Sequence, residues 1–321
     1  MSETRSIAVI GGGTIGCGWA VLFAAAGHDA VVVDPDATVA HRLAETWDTA
    51  RPVLERLGHP VATSRPPVHV ARVADLPFVP DFVQEALPER MAIKRTALAE
   101  LEAAIPATTV IASSSSGLSV TDMQAGMAHP GRMILAHPCN PPYLMPTVEI
   151  GTGARTDPAL LDGAAAFYEG LGKVVLRLRK EAPGHLVNRL QAALWREAVN
   201  IASEGIASVK DAELAVTAGL GARWSVIGPT TIFHLAGGSA GLPKFLDDLG
   251  DDVERWWDSL GAPRLDARTR AILTDGMAEI ADGRSPEAIA AERDRVMLDL
   301  IDCLNANKDP KTGSDTQGGT A

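Results

Sequence analysis

A glycine-rich segment near the start of the chain, AVIGGGTIGCGWA at residues 8–20, restricts the possible folds more than any other feature. It has the spacing GxGxxG at Gly11, Gly13 and Gly16, which taken alone also fits an ordinary flexible loop. Here a β-branched run, SIAVI, precedes the glycines, and a helical pattern, TIGCGWAVLFAAAGH, follows them. A strand, a glycine turn and a helix in this order are typical of a dinucleotide-binding unit.

Each part of this turn has a predicted role. Gly11 permits the tight turn, Gly13 lets the backbone approach a pyrophosphate, and Gly16 lets the helix pack closely on the strand. The pyrophosphate is expected at the start of the helix, at Thr14 and Ile15, because amide N–H groups are free there. The alternative interpretation is a turn with no ligand.

Asp34 ends the second predicted strand, DAVVVDPD, eighteen residues beyond Gly16. Its carboxylate can accept hydrogen bonds from a ribose 2′-hydroxyl, and it would repel a 2′-phosphate. Pro35, the next residue, brings no compensating cation. The sequence therefore predicts NAD rather than NADP as the cofactor, although Asp34 alone would also serve as a strand-end cap.

Strand and helix patterns alternate up to residue 182, which predicts an α/β fold with a doubly wound, mostly parallel sheet of the Rossmann type. After KEAPGH, at residues 180–185, long helical periods replace the strand pattern. We expect a cofactor-binding domain at residues 1–182 and an all-α domain for substrate binding and dimerisation at residues 183–321. The polar, glycine-rich tail at about 308–321 is predicted to be disordered.

Charge and cysteine content argue against several classes of protein. A net charge of −11 disfavours nucleic-acid and membrane-surface binding. Cys17, Cys139 and Cys303 are far apart, which indicates reduced thiols and neither a disulfide framework nor a metal site. The chain has no apolar run of transmembrane length and no secretory signal, so a soluble, cytoplasmic protein is expected.

The segment ILAHPCNPPYLMPTVEI places His137 directly after an apolar strand and Glu149 in the next strand. Ligands collect at strand ends in such sheets, and a carboxylate in an apolar strand is costly to bury without a partner. A Glu–His pair would leave the second ring nitrogen as a general base near neutral pH. The spacing fits equally well a solvated histidine in a proline loop and a glutamate on an edge strand.

Four segments together resemble the L-3-hydroxyacyl-CoA dehydrogenase superfamily, in the same order over nearly the whole chain: GGGTIGCG, SSSSGL, HPCNPPYLMPTVEI and PGHLVNRLQAALWREA. NPPY and ALWREA look more like its branch acting on free 3-hydroxy acids, which includes L-carnitine dehydrogenase and L-gulonate 3-dehydrogenase. The resemblance implies a homodimer and NAD-dependent oxidation of the C3 hydroxyl of a small L-3-hydroxy acid, carnitine-like or gulonate-like.

The resemblance also implies roles for individual residues. His137 matches the catalytic base and Glu149 its orienting carboxylate. Ser116, in SSSSGL, matches the serine that hydrogen-bonds the reacting oxygen, and Asn188, in VNRL, matches the asparagine that helps hold substrate and cofactor. Two residues in ALPERMAIK match positions near the nicotinamide half of the cofactor, namely Glu89 and Lys94.

The predicted substrate pocket is rich in aromatic residues. Asn188, Gln191 and Trp195 lie at i, i+3 and i+7, hence on one face of a predicted helix. Tyr143 and Trp224 are further candidates for the pocket wall. Aromatic side chains favour a quaternary ammonium substrate, whereas NPPY favours gulonate.

Two positions depart from the family pattern, because Cys139 and His185 stand where phenylalanine is common, and we expect both to reshape the pocket. Two alternative functions stay open. One is a dehydrogenase for short-chain 3-hydroxyacyl-CoA thioesters, which would need a cationic surface for the CoA phosphates. The other is a catalytically silent, crystallin-like NAD-binding protein, against which the intact set of predicted catalytic residues argues.

Overall fold

The computed structural model describes residues 4–61 and 64–307. The chain forms two compact units that divide between Arg189 and Leu190. The domain boundary predicted after residue 182 precedes this division, and the domain limits stay a prediction. The tail predicted to be disordered, at about 308–321, lies outside the described residues.

The first unit is built on one sheet of eight strands in the order β3-β2-β1-β4-β5-β6-β7-β8. Every neighbouring pair is parallel except β6 and β7, which are antiparallel. The strands are β1 (Ser6–Ile10), β2 (Asp29–Val33), β3 (Val68–Val70), β4 (Phe82–Glu85), β5 (Val110–Ser113), β6 (Met133–Pro138), β7 (Thr147–Thr152) and β8 (Val174–Arg177). The prediction of a mostly parallel Rossmann-type sheet is confirmed.

Helices cover both faces of the sheet. Ile7 and Val9 of β1 belong to one buried cluster, whereas Ala8 and Ile10 belong to another, because alternate side chains of a strand point to opposite faces. Two covered faces explain why the strands are almost continuously apolar. The helices of this unit are α1 (Thr14–Ala25), α2 (Val39–Arg56), α3 (Met91–Ala104), α4 (Val120–Met123) and α5 (Leu160–Gly170).

The sequence indicates a break in α2 near Pro52, and this prediction is wrong, because the helix runs unbroken to Arg56. Pro52 is exposed, so the carbonyl that loses its helical hydrogen bond can be solvated. Buried residues on both sides, including Ala50 and Leu54, hold the two halves of the helix against the core.

The second unit is helical. Its helices are α6 (Val187–Ser203), which begins in the first unit, α7 (Val209–Leu214), α8 (Ala222–Trp224), α9 (Pro229–Ala236), α10 (Gly241–Ser259), α11 (Ala267–Ala281) and α12 (Pro286–Ala306). A π-helical turn, Ala215–Gly221, joins α7 to α8. The side chains of Ser208, Asp266 and Ser285 cap α7, α11 and α12. Helices α9 and α10 were not predicted from the sequence.

Candidate active site

Several predicted site residues of the first unit lie at one edge of the sheet, because they come at or after the carboxyl ends of parallel strands. The glycine turn follows β1 and Asp34 follows β2, while Glu89, Ser116 and His137 come at or after the ends of β4, β5 and β6. Carboxyl ends of parallel strands share an edge, and ligands bind there in open α/β sheets.

The glycine turn has the geometry that a bound pyrophosphate requires. Gly11 has a φ of +104°, and a Cβ added there would lie 2.7 Å from the carbonyl oxygen of Ala86. A Cβ added at Gly16 would lie 1.9 Å from the carbonyl oxygen of Gly11. Gly13 differs, since no heavy atom lies within 4 Å of its added Cβ. The turn is therefore closely packed on the protein side and open at Gly13, where α1 begins with Thr14 and the half-buried Ile15.

Asp34 supports this turn directly. Its Oδ2 accepts a hydrogen bond from the N–H of Gly12 at 2.7 Å, and its Oδ1 accepts one from the N–H of Asp36 at 2.9 Å. Each carboxylate oxygen can accept a second bond, so both remain available to a ribose hydroxyl.

A cation lies close to Asp34, contrary to the expectation drawn from Pro35. Arg42 donates from Nη1 to the carbonyl oxygen of Gly12 at 2.7 Å, and its Nη2 lies 4.0 Å from Oδ2 of Asp36. Pro35 is only the residue next to Asp34, whereas α2 brings Arg42 back to the glycine turn. We therefore expect the preference for NAD to depend on the charge of Asp34, even with a guanidinium close to the turn.

A cavity of about 760 Å³ lies beside the ends of β1 and β2. Apolar side chains dominate its lining, among them Ile10, Val33, Pro35, Val73, Leu87 and Ile93. An apolar cleft next to the glycine turn fits the flat adenine ring of a dinucleotide. The residues present therefore fit NAD at its pyrophosphate, ribose and adenine parts.

Glu89 organises the serine turn that follows β5. Its Oε1 accepts hydrogen bonds from Ser115 Oγ at 2.6 Å and from the N–H groups of Ser116, Gly117 and Leu118 at 3.0, 2.7 and 3.0 Å. Burial by itself raises the pKa of Glu89, but these hydrogen bonds and the nearby Lys94 lower it below its usual value. The exposed Ser116 is thus presented by a turn folded around a carboxylate.

Lys94 lies behind that turn and is 1% exposed. Its Nζ is 2.6 Å from Glu85 Oε1, 3.6 Å from Glu89 Oε2 and 3.1 Å from the carbonyl oxygen of Leu87. The ammonium is occupied by groups of the protein, so the structure gives Lys94 the geometry of a support for Glu89. Its predicted contact with the cofactor stays a prediction.

His137 and Glu149 form a buried pair. The antiparallel register of β6 and β7 places the two residues directly opposite each other, and His137 Nδ1 lies 2.7 Å from Glu149 Oε2. His137 is 8% exposed, Glu149 is 0% exposed, and β7 has a neighbouring strand on each side. This geometry fits the Glu–His pair. It does not fit the alternative interpretation, a solvated histidine with a glutamate on an edge strand.

The other oxygen of Glu149 is also saturated. Oε1 accepts from the N–H groups of Leu186 and Val187, at 2.7 and 2.9 Å, at the start of α6. Burial by itself raises the pKa of Glu149, but the bonds from His137, Val187 and Leu186 lower it below its usual value. Because an ionised Glu149 faces Nδ1, that nitrogen donates its proton and Nε2 of the neutral ring carries the lone pair that a base needs.

The structure distributes the remaining predicted residues over both units. Asn188 lies in the first turn of α6, half-buried, within the first unit. Tyr143 packs against the buried cluster around α1. Gln191, Trp195 and Trp224 are exposed residues of the second unit, and their place in a substrate pocket stays a prediction.

Cys139 and His185, which depart from the family pattern, have different surroundings. Cys139 is half-buried directly after β6, and burial, with the nearby Glu149, raises the pKa of its thiol. His185 is 5% exposed, its ring centroid lies 5.2 Å from that of His137, and its Nε2 lies 2.9 Å from the carbonyl oxygen of Ser115. The sequence analysis did not foresee the contacts of His185.

Lys173 was also missed by sequence reasoning. Its Nζ donates to the carbonyl oxygens of Pro142 and Met145, the latter at 2.8 Å, in the loop between β6 and β7. Burial lowers the pKa of Lys173 to about 7. A lysine directly before the apolar run VVL was the available signal. Lys173 therefore holds the proline loop that follows His137.

Comparison with known proteins decides the family. Residues 6–182 match the 3-hydroxyacyl-CoA dehydrogenase NAD binding domain, and residues 184–269 match the C-terminal domain of the same enzymes. The chain belongs to the 3-hydroxyacyl-CoA dehydrogenase family. The strand, glycine turn and catalytic-type pair described above lie within the first matched region.

Curated relatives of this family member cover nearly its whole length. L-carnitine dehydrogenase of Streptomyces griseus subsp. griseus is 44% identical over 304 residues, which are 93% of this chain and 90% of the relative. L-carnitine dehydrogenase of Streptomyces coelicolor is 42% identical, over 93% of this chain and 94% of the relative.

Among solved structures, a 5-formyl-3-hydroxy-2-methylpyridine 4-carboxylic acid 5-dehydrogenase, described as an NAD⁺-dependent dismutase, superimposes with a TM-score of 0.83. It is 27% identical and the match covers 95% of this chain and all of that chain. These comparisons confirm the predicted family, the Rossmann-type fold with a helical C-terminal part, NAD as cofactor, and a dehydrogenase acting on a CH–OH group.

Two further observations bear on partners. None of the helices that the structure describes between residues 4 and 307 is long and apolar enough to span a membrane. Over the same described part of the chain, no three His, Cys, Asp or Glu side chains come together as a potential metal site.

We expect Asp34→Ser to weaken the preference for NAD over NADP. The change removes the charged acceptor for the ribose hydroxyls and the repulsion of a 2′-phosphate, and leaves Arg42 nearby. The ratio of kcat/KM for NADP to that for NAD should rise roughly 10- to 100-fold, which matches the ~1.5–3 kcal/mol of a hydrogen bond to a charged group. Asp29→Ser, at the opposite end of β2, is the matched control. Equal efficiency of the wild type with both cofactors would contradict the assignment.

Proposed function

We propose that this dehydrogenase oxidises the C3 hydroxyl of L-carnitine, or of a close quaternary-ammonium analogue, to the 3-oxo acid with NAD as acceptor. The observation that carries the proposal is the buried His137–Glu149 pair at the edge of the sheet where the glycine turn lies. The choice of substrate rests on curated relatives named L-carnitine dehydrogenase, which are between 34% and 44% identical over most of the chain.

The proposed reaction begins with proton transfer to His137. Nε2 accepts the proton of the C3 hydroxyl, and Glu149 stabilises the resulting imidazolium through Nδ1. When bound, NAD supplies the acceptor for the hydride that leaves C3. Ser116 and Asn188 donate hydrogen bonds to the oxygen as it becomes a carbonyl. The proton then leaves the imidazolium to solvent, which restores the base.

Electrostatics in the first unit support this role for Glu149. A buried carboxylate that kept its proton could not stabilise an imidazolium. The N–H groups of Leu186 and Val187 stabilise the ionised form and are fixed in the backbone, so the negative charge is in place before the substrate binds. The protein is thereby organised for the charge that forms on His137 during oxidation.

The aromatic side chains predicted to recognise a substrate cation lie in the second unit. Trp195, Trp224 and Phe233 are 49%, 37% and 40% exposed, and the ring of Phe233 also stacks on that of Phe245. Contact between a quaternary ammonium and such a ring contributes about 0.5–2 kcal/mol. L-Gulonate instead would need hydrogen-bonding groups for several hydroxyls, and a CoA thioester would need cations for its phosphates.

We expect NADH formation with L-carnitine at a higher kcat/KM than with L-gulonate or L-3-hydroxybutyrate, and no reduction of acetoacetyl-CoA at a comparable rate. Higher efficiency with L-gulonate or with the CoA thioester would reassign the substrate. Absence of turnover on every 3-hydroxy acid would support the catalytically silent alternative and overturn the proposed function.

We expect His137→Gln to lower kcat by ~10²–10⁴-fold, the usual effect of removing a general base, with little change in NAD affinity. Glu149→Gln should also slow oxidation, because the charge that stabilises the imidazolium is lost. The dependence of oxidation on pH should also change in Glu149→Gln, because the imidazolium loses the carboxylate that stabilises it. His41→Gln, whose side chain is 80% exposed on α2, is the control. Near-normal turnover of His137→Gln would overturn the mechanism.

We further propose that the chain forms a homodimer, mainly through its helical unit. Trp256 and Trp257 of α10 are 61% and 65% exposed, and Leu246 and Leu249 of the same helix are 55% and 41% exposed. Light scattering at micromolar concentration should give twice the mass of one chain, and Trp257→Glu should shift the population toward monomer because it places a charge in an apolar contact. A wild-type monomer would contradict the proposal.

A cytoplasmic location completes the proposed function. NAD, the cofactor on which the proposed oxidation depends, is available in that compartment. Fractionation of source cells should recover NAD-dependent activity in the cytosol.

A further inference from the structure

His185 has an unusual backbone and a buried side chain. Its φ is 52°, in the left-handed region, and it follows Gly184 at φ 74°. Non-glycine residues adopt this region at a cost, and persist there when surrounding contacts hold them. His185 is 5% exposed, so packing and hydrogen bonding from the first unit fix it in place.

The left-handed turn has a direct consequence for Glu149. Immediately after His185 the chain enters α6, and the N–H groups of Leu186 and Val187 both converge on Glu149 Oε1. The turn at Gly184 and His185 therefore sets the direction of the two donors that hold the carboxylate.

The side chain of His185 reaches two other parts of the site. Its Nε2 lies 2.9 Å from the carbonyl oxygen of Ser115. Ser115 belongs to the serine turn, which is hydrogen-bonded to Glu89 and contains Ser116. Its ring lies against that of His137, with an interplanar angle of 51°. Because a carbonyl oxygen only accepts, Nε2 must carry the proton and act as donor.

Nδ1 of His185 is buried and has no hydrogen-bond partner among the described residues. A phenylalanine would fill a similar volume beside His137 without this unpaired nitrogen. The presence of histidine at this position is therefore explained by the hydrogen bond that Nε2 donates and not by packing. A phenyl ring could pack in the same place but could not donate this bond.

We propose that His185 is a positioning residue that couples the serine turn to the His137–Glu149 pair. Its Nε2–H fixes the carbonyl of Ser115, and hence the direction in which Ser116 meets the reacting oxygen. Its backbone sets the donors to Glu149, and its ring limits the rotation of His137. This inference rests on the proposed function for its kinetic consequence, but not for its tautomer.

Two variants separate the donor from the ring in the full-length protein. His185→Phe keeps a ring and removes the donor, whereas His185→Gln keeps a donor and removes the ring. Both replacements are non-glycine residues placed in the same left-handed backbone conformation. The energetic cost of that conformation is therefore similar in the two variants. His41→Phe, at a histidine on α2 whose side chain is 80% exposed, is the surface control.

We expect His185→Phe to lower kcat roughly 5- to 50-fold, the effect of leaving a buried carbonyl unpaired where transition-state geometry matters. KM for the hydroxy acid and Kd for NAD should change less than 3-fold or so, because the glycine turn and Asp34 are untouched. His185→Gln should recover most of kcat. Equal losses in both variants would overturn the donor role, and so would a normal kcat in His185→Phe.

The dependence of kcat on pH distinguishes two ways in which His185 could act: as a hydrogen-bond donor, or through a charge near His137. The titratable groups around His185 are His137 on β6, Glu149 on β7, Glu89 beneath the serine turn and Glu181 on its own segment. A donor acts through geometry, so His185→Phe should lower the plateau of kcat without moving the pH at which activity rises. A moved profile with an unchanged plateau would show action through charge on His137 and overturn the proposal.

Histidine ¹⁵N NMR of the uniformly labelled wild type tests the tautomer without any substrate. We expect the His185 resonances, assigned by their loss in His185→Phe, to show a protonated Nε2 and an unprotonated Nδ1. A proton on Nδ1 would overturn the proposed donor even in an enzyme that oxidises L-carnitine. Conversely, the expected tautomer in a protein with no turnover would leave His185 correctly assigned and the proposed function wrong.

Discussion

The buried carboxylate of Glu149 is the group on which the site and the surrounding fold depend. It lies on β7, accepts from His137 on β6, and accepts from two N–H groups at the start of α6. Burial of an unpaired charge costs several kcal/mol, so loss of any one of these donors would destabilise the fold as well as the site. The geometry of the His137–Glu149 pair and local stability are therefore maintained by the same contacts.

Features that are local in the chain could be predicted from the sequence. A strand, the glycines at Gly11, Gly13 and Gly16, and a helix form one continuous unit, so the turn and its partner Asp34 were identified from spacing alone. The alternation of strands and helices likewise indicated the mostly parallel sheet. Such features depend on short-range backbone preferences, which follow from residues that are close together in the sequence.

Features that depend on distant partners could not be predicted in the same way. The pairing of His137 with Glu149 was one of two open interpretations, because strand register is a property of the sheet and not of either strand. Glu89 accepts hydrogen bonds from a turn that lies 26–29 residues further along the sequence. Arg42 of α2 donates to the glycine turn. A break was predicted near Pro52, in a helix that tertiary packing keeps continuous.

The antiparallel pairing of β6 and β7 makes the His137–Glu149 geometry independent of the side chains in the connecting loop. Five paired positions, from Ile134 opposite Thr152 to Pro138 opposite Val148, fix His137 and Glu149 by backbone register. The loop that joins β6 to β7 does not set that register. Lys173 binds the loop through main-chain carbonyls, so this contact does not depend on the side chains that the loop carries. A descendant of this enzyme could therefore exchange the side chains of the loop while inheriting an unaltered register of His137 and Glu149.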